Sequence, residues 1–176
     1  MKNKIWMVLP AVLMPYVLLA ALAVLFFSPR FPWIMESLFD NNALYLLLLL
    51  MVFAVLAFVL SAVFMKMSLK RGWDALALAK TAMIVKLIQI PAYAAIFVLG
   101  ALFALSLITL GFTVLMILVD CLTLVMTGLI NVAAVILADR EKRIPLRKTA
   151  WVIVCQFFFC IDVVAAVVFY FQLKKM

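Results

Sequence analysis

The sequence predicts an all-α, polytopic transmembrane helical bundle, and three observations predict it. Of the 176 residues 72% are hydrophobic and 12% are charged, with a mean hydropathy of +1.37. Soluble domains are about half apolar, so lipid must solvate much of this surface. The apolar residues come in long continuous runs, without the alternation that a membrane barrel needs. The basic residues cluster in short segments beside those runs, as in cytoplasmic loops. Five spans follow, at roughly 5–27, 43–65, 82–105, 112–137 and 150–171, with the N-terminus cytoplasmic, the C-terminus outside and one integral membrane domain.

The first apolar run, Ile5 to Phe27, follows Lys2 and Lys4. It exceeds the roughly 7–15 residues of a signal-peptide core and lacks an A-x-A site, so it reads as a retained span. Pro10 and Pro15 should kink it or free a backbone carbonyl. Tyr16 falls near mid-membrane. Ser28 to Asn42 is an outer loop with Pro29, Pro32 and Arg30, whose aromatic and aliphatic residues suggest a short amphipathic turn on the interface. Ala43 to Met65 is a nearly pure Leu/Val/Ala/Phe run that should face lipid broadly.

Lys66, Lys70 and Arg71 mark the return to the cytoplasm. Gly72 breaks the chain, and Asp74 can cap a new helix because its carboxylate accepts backbone N–H bonds. Ala75 to Ile90 should start along the membrane surface and run into the third span, where Pro91 leaves the Leu87 carbonyl without its helical donor. Ala92 to Ala134 would exceed about 60 Å as one helix, so it must fold back, best at Ser106 to Gly111. The loop Asp139 to Lys148 is the most strongly charged and should be cytoplasmic. Trp151 to Phe171 then reads as a fifth span. That puts Lys174 and Lys175 outside, against the charge rule. Trp6, Trp73 and Trp151 would mark the inner interface, and Trp33, Tyr45 and Tyr170 the outer one.

Charge and residue usage narrow the chemistry. A net charge of +8 held beside apolar runs points to anionic lipid headgroups, not to nucleic acid. The chain has no histidine, which excludes imidazole catalysis and His-ligated metals. Cys121, Cys155 and Cys160 form no CxxC and read as small buried packers. No P-loop, dinucleotide fingerprint or EF-hand appears. Asp120 and Asp162 lack the glycine-flanked setting of intramembrane aspartyl proteases. No enzyme, cofactor or metal is expected.

The candidate site is a set of intramembrane polar groups. Asp120, Thr123, Thr127 and Asn131 are spaced three, four and four residues apart, on one face of a helix. Counted at about 1.5 Å per residue, Lys86, Gln89, Asn131 and Gln156 form a layer roughly 6–10 Å from the inner boundary. Tyr16, Tyr93, Thr127 and Asp162 lie at roughly 15–18 Å, and Thr123 and Asp120 at roughly 20–26 Å, higher and toward the outer face. An unpaired intramembrane Asp costs about 2.5–3.5 kcal/mol, so each carboxylate needs a cavity or a partner. The ten groups read either as a polar cavity or proton/cation path, or as interhelical hydrogen bonds that fix the bundle.

The stretch Lys86-Leu-Ile-Gln-Ile-Pro-Ala-Tyr93, with the Ala-Ala-Ile-Phe-Val-Leu-Gly100 that follows, resembles a pattern of small uncharacterised multi-span bacterial membrane proteins. The resemblance implies a bacterial cytoplasmic membrane and no activity. The expected function is transport-related: a small carrier, channel-like or accessory subunit with a polar cavity. The alternative is a non-catalytic interaction protein, an immunity, assembly or regulatory subunit. Few spans and no internal repeat favour a homo-oligomer or a larger membrane complex over a stand-alone carrier.

Overall fold

The computed structural model describes residues 2–27, 32–107, 109–143, 146–158 and 161–175, the side chains of 2–4 and 146–149 excepted. It is all helical. A 3₁₀ helix, Lys2–Val8, leads into α1 (Leu9–Phe27). Then come α2 (Pro32–Phe39), α3 (Ala43–Arg71), α4 (Ala75–Ala104), α5 (Leu110–Arg140), α6 (Leu146–Cys155) and α7 (Ile161–Lys175). Among the described residues, four helical stretches are long and apolar enough to cross a membrane: Ile5–Phe27, Ala43–Arg71, Ala75–Ala104 and Leu110–Arg140.

Local chemistry explains most boundaries. Pro10 cannot donate to the Trp6 carbonyl, and the chain before it winds as the tighter 3₁₀ form. Asn42 caps α3 by accepting from the Leu44 N–H at 2.9 Å. Gly72 closes α3 at φ +57° with its N–H on the Ser68 carbonyl, the left-handed turn that glycine adopts without penalty. Asp74 caps α4 through the Ala77 N–H at 2.9 Å, as its position suggested. Thr109 ties down the turn before α5 by donating to the Phe103 carbonyl at 2.6 Å. The 28–42 loop contains a true helix, α2, whose Met35 and Phe39 pack with Leu46. Arg30 and Pro29 lie outside the described residues, as does Cys160.

The two largest apolar cores among the described residues sit at opposite ends of the bundle. At one end Met7, Val8, Ala75, Leu78, Leu137 and Ala138 pack together. Arg140 crosses there from α5 to the Leu69 carbonyl of α3, at 3.3 Å. Lys66, Lys70, Arg71, Lys80, Lys142 and Arg143 flank the same end. At the other end Met14, Leu18, Leu50, Ile96, Met116 and Val119 form a second core. Phe26, Phe103 and Phe112 close it with ring centroids 5.1–5.7 Å apart. α5 is the most enclosed of the long helices. In α3, Leu46, Leu50, Ala54, Ala57, Ser61, Phe64 and Ser68 are buried, one stripe at helical spacing. Most of the rest of its surface is exposed, which suits a span facing lipid broadly.

The segment expected as a fifth span is two helices. α6 has 10 residues and α7 has 15, about 15 and 22 Å long, each short of a hydrocarbon core of about 30 Å. Between them the Gln156, Phe157 and Phe158 N–H groups bond three residues back, to Ile153, Val154 and Cys155 at 3.1, 3.1 and 3.5 Å. α6 runs up α5 until Gln156 and Phe157 reach Gly128, where an added β-carbon would stand 3.5 Å from Phe157 Cε1 and 3.6 Å from the Gln156 carbonyl oxygen. α7 then packs along α4. Its first turn meets Lys86, while Phe169 and Leu173 join the core that holds Ala75, Leu78 and Ala138. The chain therefore reverses inside the bundle. Lys174 and Lys175 return to the basic end, and Tyr170 packs against that core instead of marking the far interface.

Candidate functional site

A proline in α1 builds the first part of the site. Pro15 has no N–H for the Ala11 carbonyl one turn earlier. The Gln89 amide of α4 supplies the missing donor, at 2.9 Å from the Ala11 oxygen. In return the Tyr16 hydroxyl of α1 donates to the Ile88 carbonyl of α4. That carbonyl lies beside Leu87, the one expected to be freed by Pro91. α1 and α4 are thus clasped by two side-chain-to-carbonyl bonds in opposite directions. Tyr93 holds the Gln89 amide in place, with its hydroxyl 3.2 Å from Gln89 Oε1, and its oxygen also interacts with the Thr127 side chain.

The second part is an ion pair. Lys86 Nζ bonds Asp162 Oδ2, with both side chains at 2% exposure or less. Depth counting from an outward fifth span put Asp162 one layer above Lys86. The reversal of the chain brings them together, because α7 starts at the tip of the hairpin. Asp162 sits in the first turn of α7, where the helix dipole favours negative charge. Thr123 and Thr127 use their hydroxyls on their own helix, donating to the Val119 and Thr123 carbonyls at 2.8 and 2.9 Å.

The third part is unsatisfied. Asn131 is fully buried, and neither its Nδ2 nor its Oδ1 has a partner among the described residues. Gln156 donates to the Val152 carbonyl at 3.3 Å, but its buried Oε1 accepts nothing from the described residues. Asn131 lies one turn from Gly128, which touches the Gln156 side chain. Two amides with unused hydrogen-bonding capacity therefore flank the hairpin tip.

Asp120 stands apart. It is half-buried at the edge of a groove of about 260 Å³ between α4 and α5, with Phe97, Gly100, Ala104, Thr113 and Ile117 among the lining residues. Its Oδ1 has no hydrogen-bond partner among the described residues. The two carboxylates do not share a proton, because Asp162 is committed to Lys86. Of the ten expected residues, Lys86, Gln89, Tyr93, Thr123, Thr127, Asn131, Gln156 and Asp162 are buried. Tyr16 joins them through its hydroxyl, and Asp120 does not. Cys121 is exposed and Cys155 partly buried, so Cys121 is not the interior packer that its sequence context suggested. What sequence reasoning missed is Gly128, whose lack of a side chain admits the hairpin tip. The larger apolar groove, of about 460 Å³, lies between α1, α3 and α5, and none of the ten expected residues lines it.

No family model, curated protein or solved structure matches this chain.

Proposed function

We propose that the protein is a transport-related subunit of a bacterial cell membrane, with four spans and one re-entrant helical hairpin, and with both termini in the cytoplasm. The observation that carries this reading is the buried Lys86–Asp162 pair at a hairpin tip that stops about halfway through the bundle. Interrupted helices with ionisable residues at mid-depth are how membrane proteins build ion sites, and an intramembrane charge is otherwise too costly to retain. The orientation follows from the basic end, which gathers Lys66, Lys70, Arg71, Arg140, Lys142 and Arg143 and fits the cytoplasmic side. The hairpin returns Lys174 and Lys175 to that side, which removes the conflict of the five-span reading with the charge rule.

In this reading the observed arrangement is the closed one. Lys86 and Asp162 neutralise each other, and Asn131 and Gln156 hold spare hydrogen-bonding capacity for a proton-carrying water or a small cation. The test is flux into vesicles containing the purified protein, with a pH-sensitive dye for protons and potassium and sodium gradients for cations. Wild-type vesicles should leak protons or one cation faster than empty ones, with Lys86→Gln and Asp162→Asn each lowering the rate at least tenfold. Wild-type vesicles as tight as empty ones to all three ions would refute it.

A second reading, a non-catalytic interaction subunit, is favoured by Asp120. This carboxylate lines the α4–α5 groove, and its Oδ1 has no hydrogen-bond partner among the described residues.

A further inference from the structure

We propose that the α4–α5 groove around Asp120 is a docking site for a transmembrane helix of another protein that carries a lysine or arginine at matching depth. The inference deepens the interaction reading, and the flux test of the transport reading does not depend on it.

Charge and geometry carry it. Asp120 lies ten residues into α5, about 15 Å along the helix from its start, where a carboxylate in lipid needs a counter-group. Among the described residues this chain offers none. Lys86 is taken by Asp162, and the other described Lys and Arg side chains flank the opposite end of the bundle or follow α7 back to it. The groove also has the form of a helix seat. Phe97, Ala101 and Ala104 are exposed along one face of α4, at the four- and three-residue spacing that lines up on a helix. Gly100 and Ala104 form a small-xxx-small pair, which lets a second backbone approach closely. Thr113 is no rival for Asp120, because its hydroxyl donates to the Gly100 carbonyl at 3.2 Å.

A second copy of this chain fits the groove poorly. A symmetric pair about it would set Asp120 against Asp120. No exposed cation on α3, α4 or α5 lies at Asp120's depth, and the exposed Tyr45 is near the end of its helix. The occupant is therefore a helix of different sequence, apolar except for one cation.

The experiment uses full-length protein in lipid vesicles, labelled at its C-terminus with an energy-transfer acceptor. The probe is a donor-labelled, 20-residue Leu/Ala transmembrane peptide with one lysine at its centre. Control peptides carry leucine there, or the lysine seven residues nearer one end. The central-lysine peptide should associate at least tenfold more tightly than both controls, and Asp120→Leu should abolish the difference. Asp120→Asn, which keeps a polar group and loses the charge, should lose most of it. Circular dichroism and elution volume of each variant should match wild type, because Asp120 Oδ1 has no hydrogen bond to the described residues to lose. Equal association of the lysine and leucine peptides would overturn the proposal. So would self-association of labelled protein that is lost in Asp120→Asn, which would assign the groove to a second copy. Ion flux altered by Lys86→Gln but not by Asp120→Leu would leave the docking site standing and separate it from the transport site.

Discussion

Replacing Asp162 by asparagine strips the counter-charge from a lysine that has no exposure at all. Breaking a buried ion pair by removing one partner costs about 3–5 kcal/mol, because the remaining charge stays desolvated. The pair joins α4 to the first turn of α7, so the loss falls on docking of the hairpin and not on the bundle as a whole. At tenfold per 1.4 kcal/mol this multiplies the undocked population by roughly 100 to 4,000. Hydrogen exchange in lipid nanodiscs reads that population directly, since amides exchange through local opening. Peptides from α7 should lose protection by about that factor in Asp162→Asn and in Lys86→Met. Peptides from α5, the most enclosed helix, should change far less.

The double variant Lys86→Met with Asp162→Leu sharpens the test. Replacing both partners by apolar groups is commonly neutral or stabilising, offset here by the loss of an acidic residue at a helix N-terminus, about 0.3–1 kcal/mol. Protection of α7 should return to within about tenfold of wild type. If the single variants leave α7 protected, or if the double variant is as damaged as the singles, the pair does not hold the hairpin.

Three further outcomes follow from single contacts. Gln89→Leu should destabilise the protein by about 1–2 kcal/mol by orphaning the Ala11 carbonyl, but by at least about 0.5 kcal/mol less in a Pro15→Ala background; a double-mutant cycle of thermal unfolding in detergent reads the coupling. Gly128→Ala should be neutral or slightly stabilising, because its β-carbon meets atoms at 3.5 Å or more and alanine gains up to about 1 kcal/mol of helix propensity. Gly128→Leu should push on Phe157 and Gln156 at about 1–3 kcal/mol, and equal melting temperatures for the two would contradict this packing. Reporter fusions at either terminus should give the cytoplasmic signal on both, whereas opposite signals would restore the five-span topology.

Much of this fold is written in local chemistry. Gly72 and Asp74 delimit α3 and α4 by capping rules that act over a few residues, and the structure places both as expected. The stripe from Thr123 to Asn131 faces inward because a membrane helix hides its polar residues, and the periodicity shows which side that is. Even the Gln89 bond has a local cause in Pro15, although its donor comes from another helix. The hairpin has no such signal. Between Trp151 and Phe171 there is no glycine or proline, and the run is apolar and long enough to cross. Its break depends on tertiary partners: the cation at Lys86 that holds Asp162, and the missing side chain at Gly128 that admits Phe157. The one sequence-level trace is the pair of lysines at 174 and 175, whose charge already disagreed with an outward C-terminus. The depth assigned to Asp162 missed Lys86 for the same reason, since depth along a helix is meaningful only when the helix direction is right.

The two cores also constrain how such a site would work. Undocking of α6 and α7 would open Lys86 and Asp162 toward the basic end only, because that is the end to which the hairpin returns. Toward the other end the path is filled by Met14, Leu18, Ile96 and Met116, with the three phenylalanines beyond them. A carrier must present its site to both sides in turn, so a second moving part is required on that half. The clasp between α1 and α4 is the structural weak point available there, since Pro15 and Pro91 each remove a backbone bond, and the Gln89–Ala11 and Tyr16–Ile88 bonds nearby are side-chain bonds that can be exchanged. In the proposed transport reading, a single re-entrant hairpin would supply half of an alternating mechanism. The missing half would come from movement at that clasp or from a partner seated on α4, where the Asp120 groove lies.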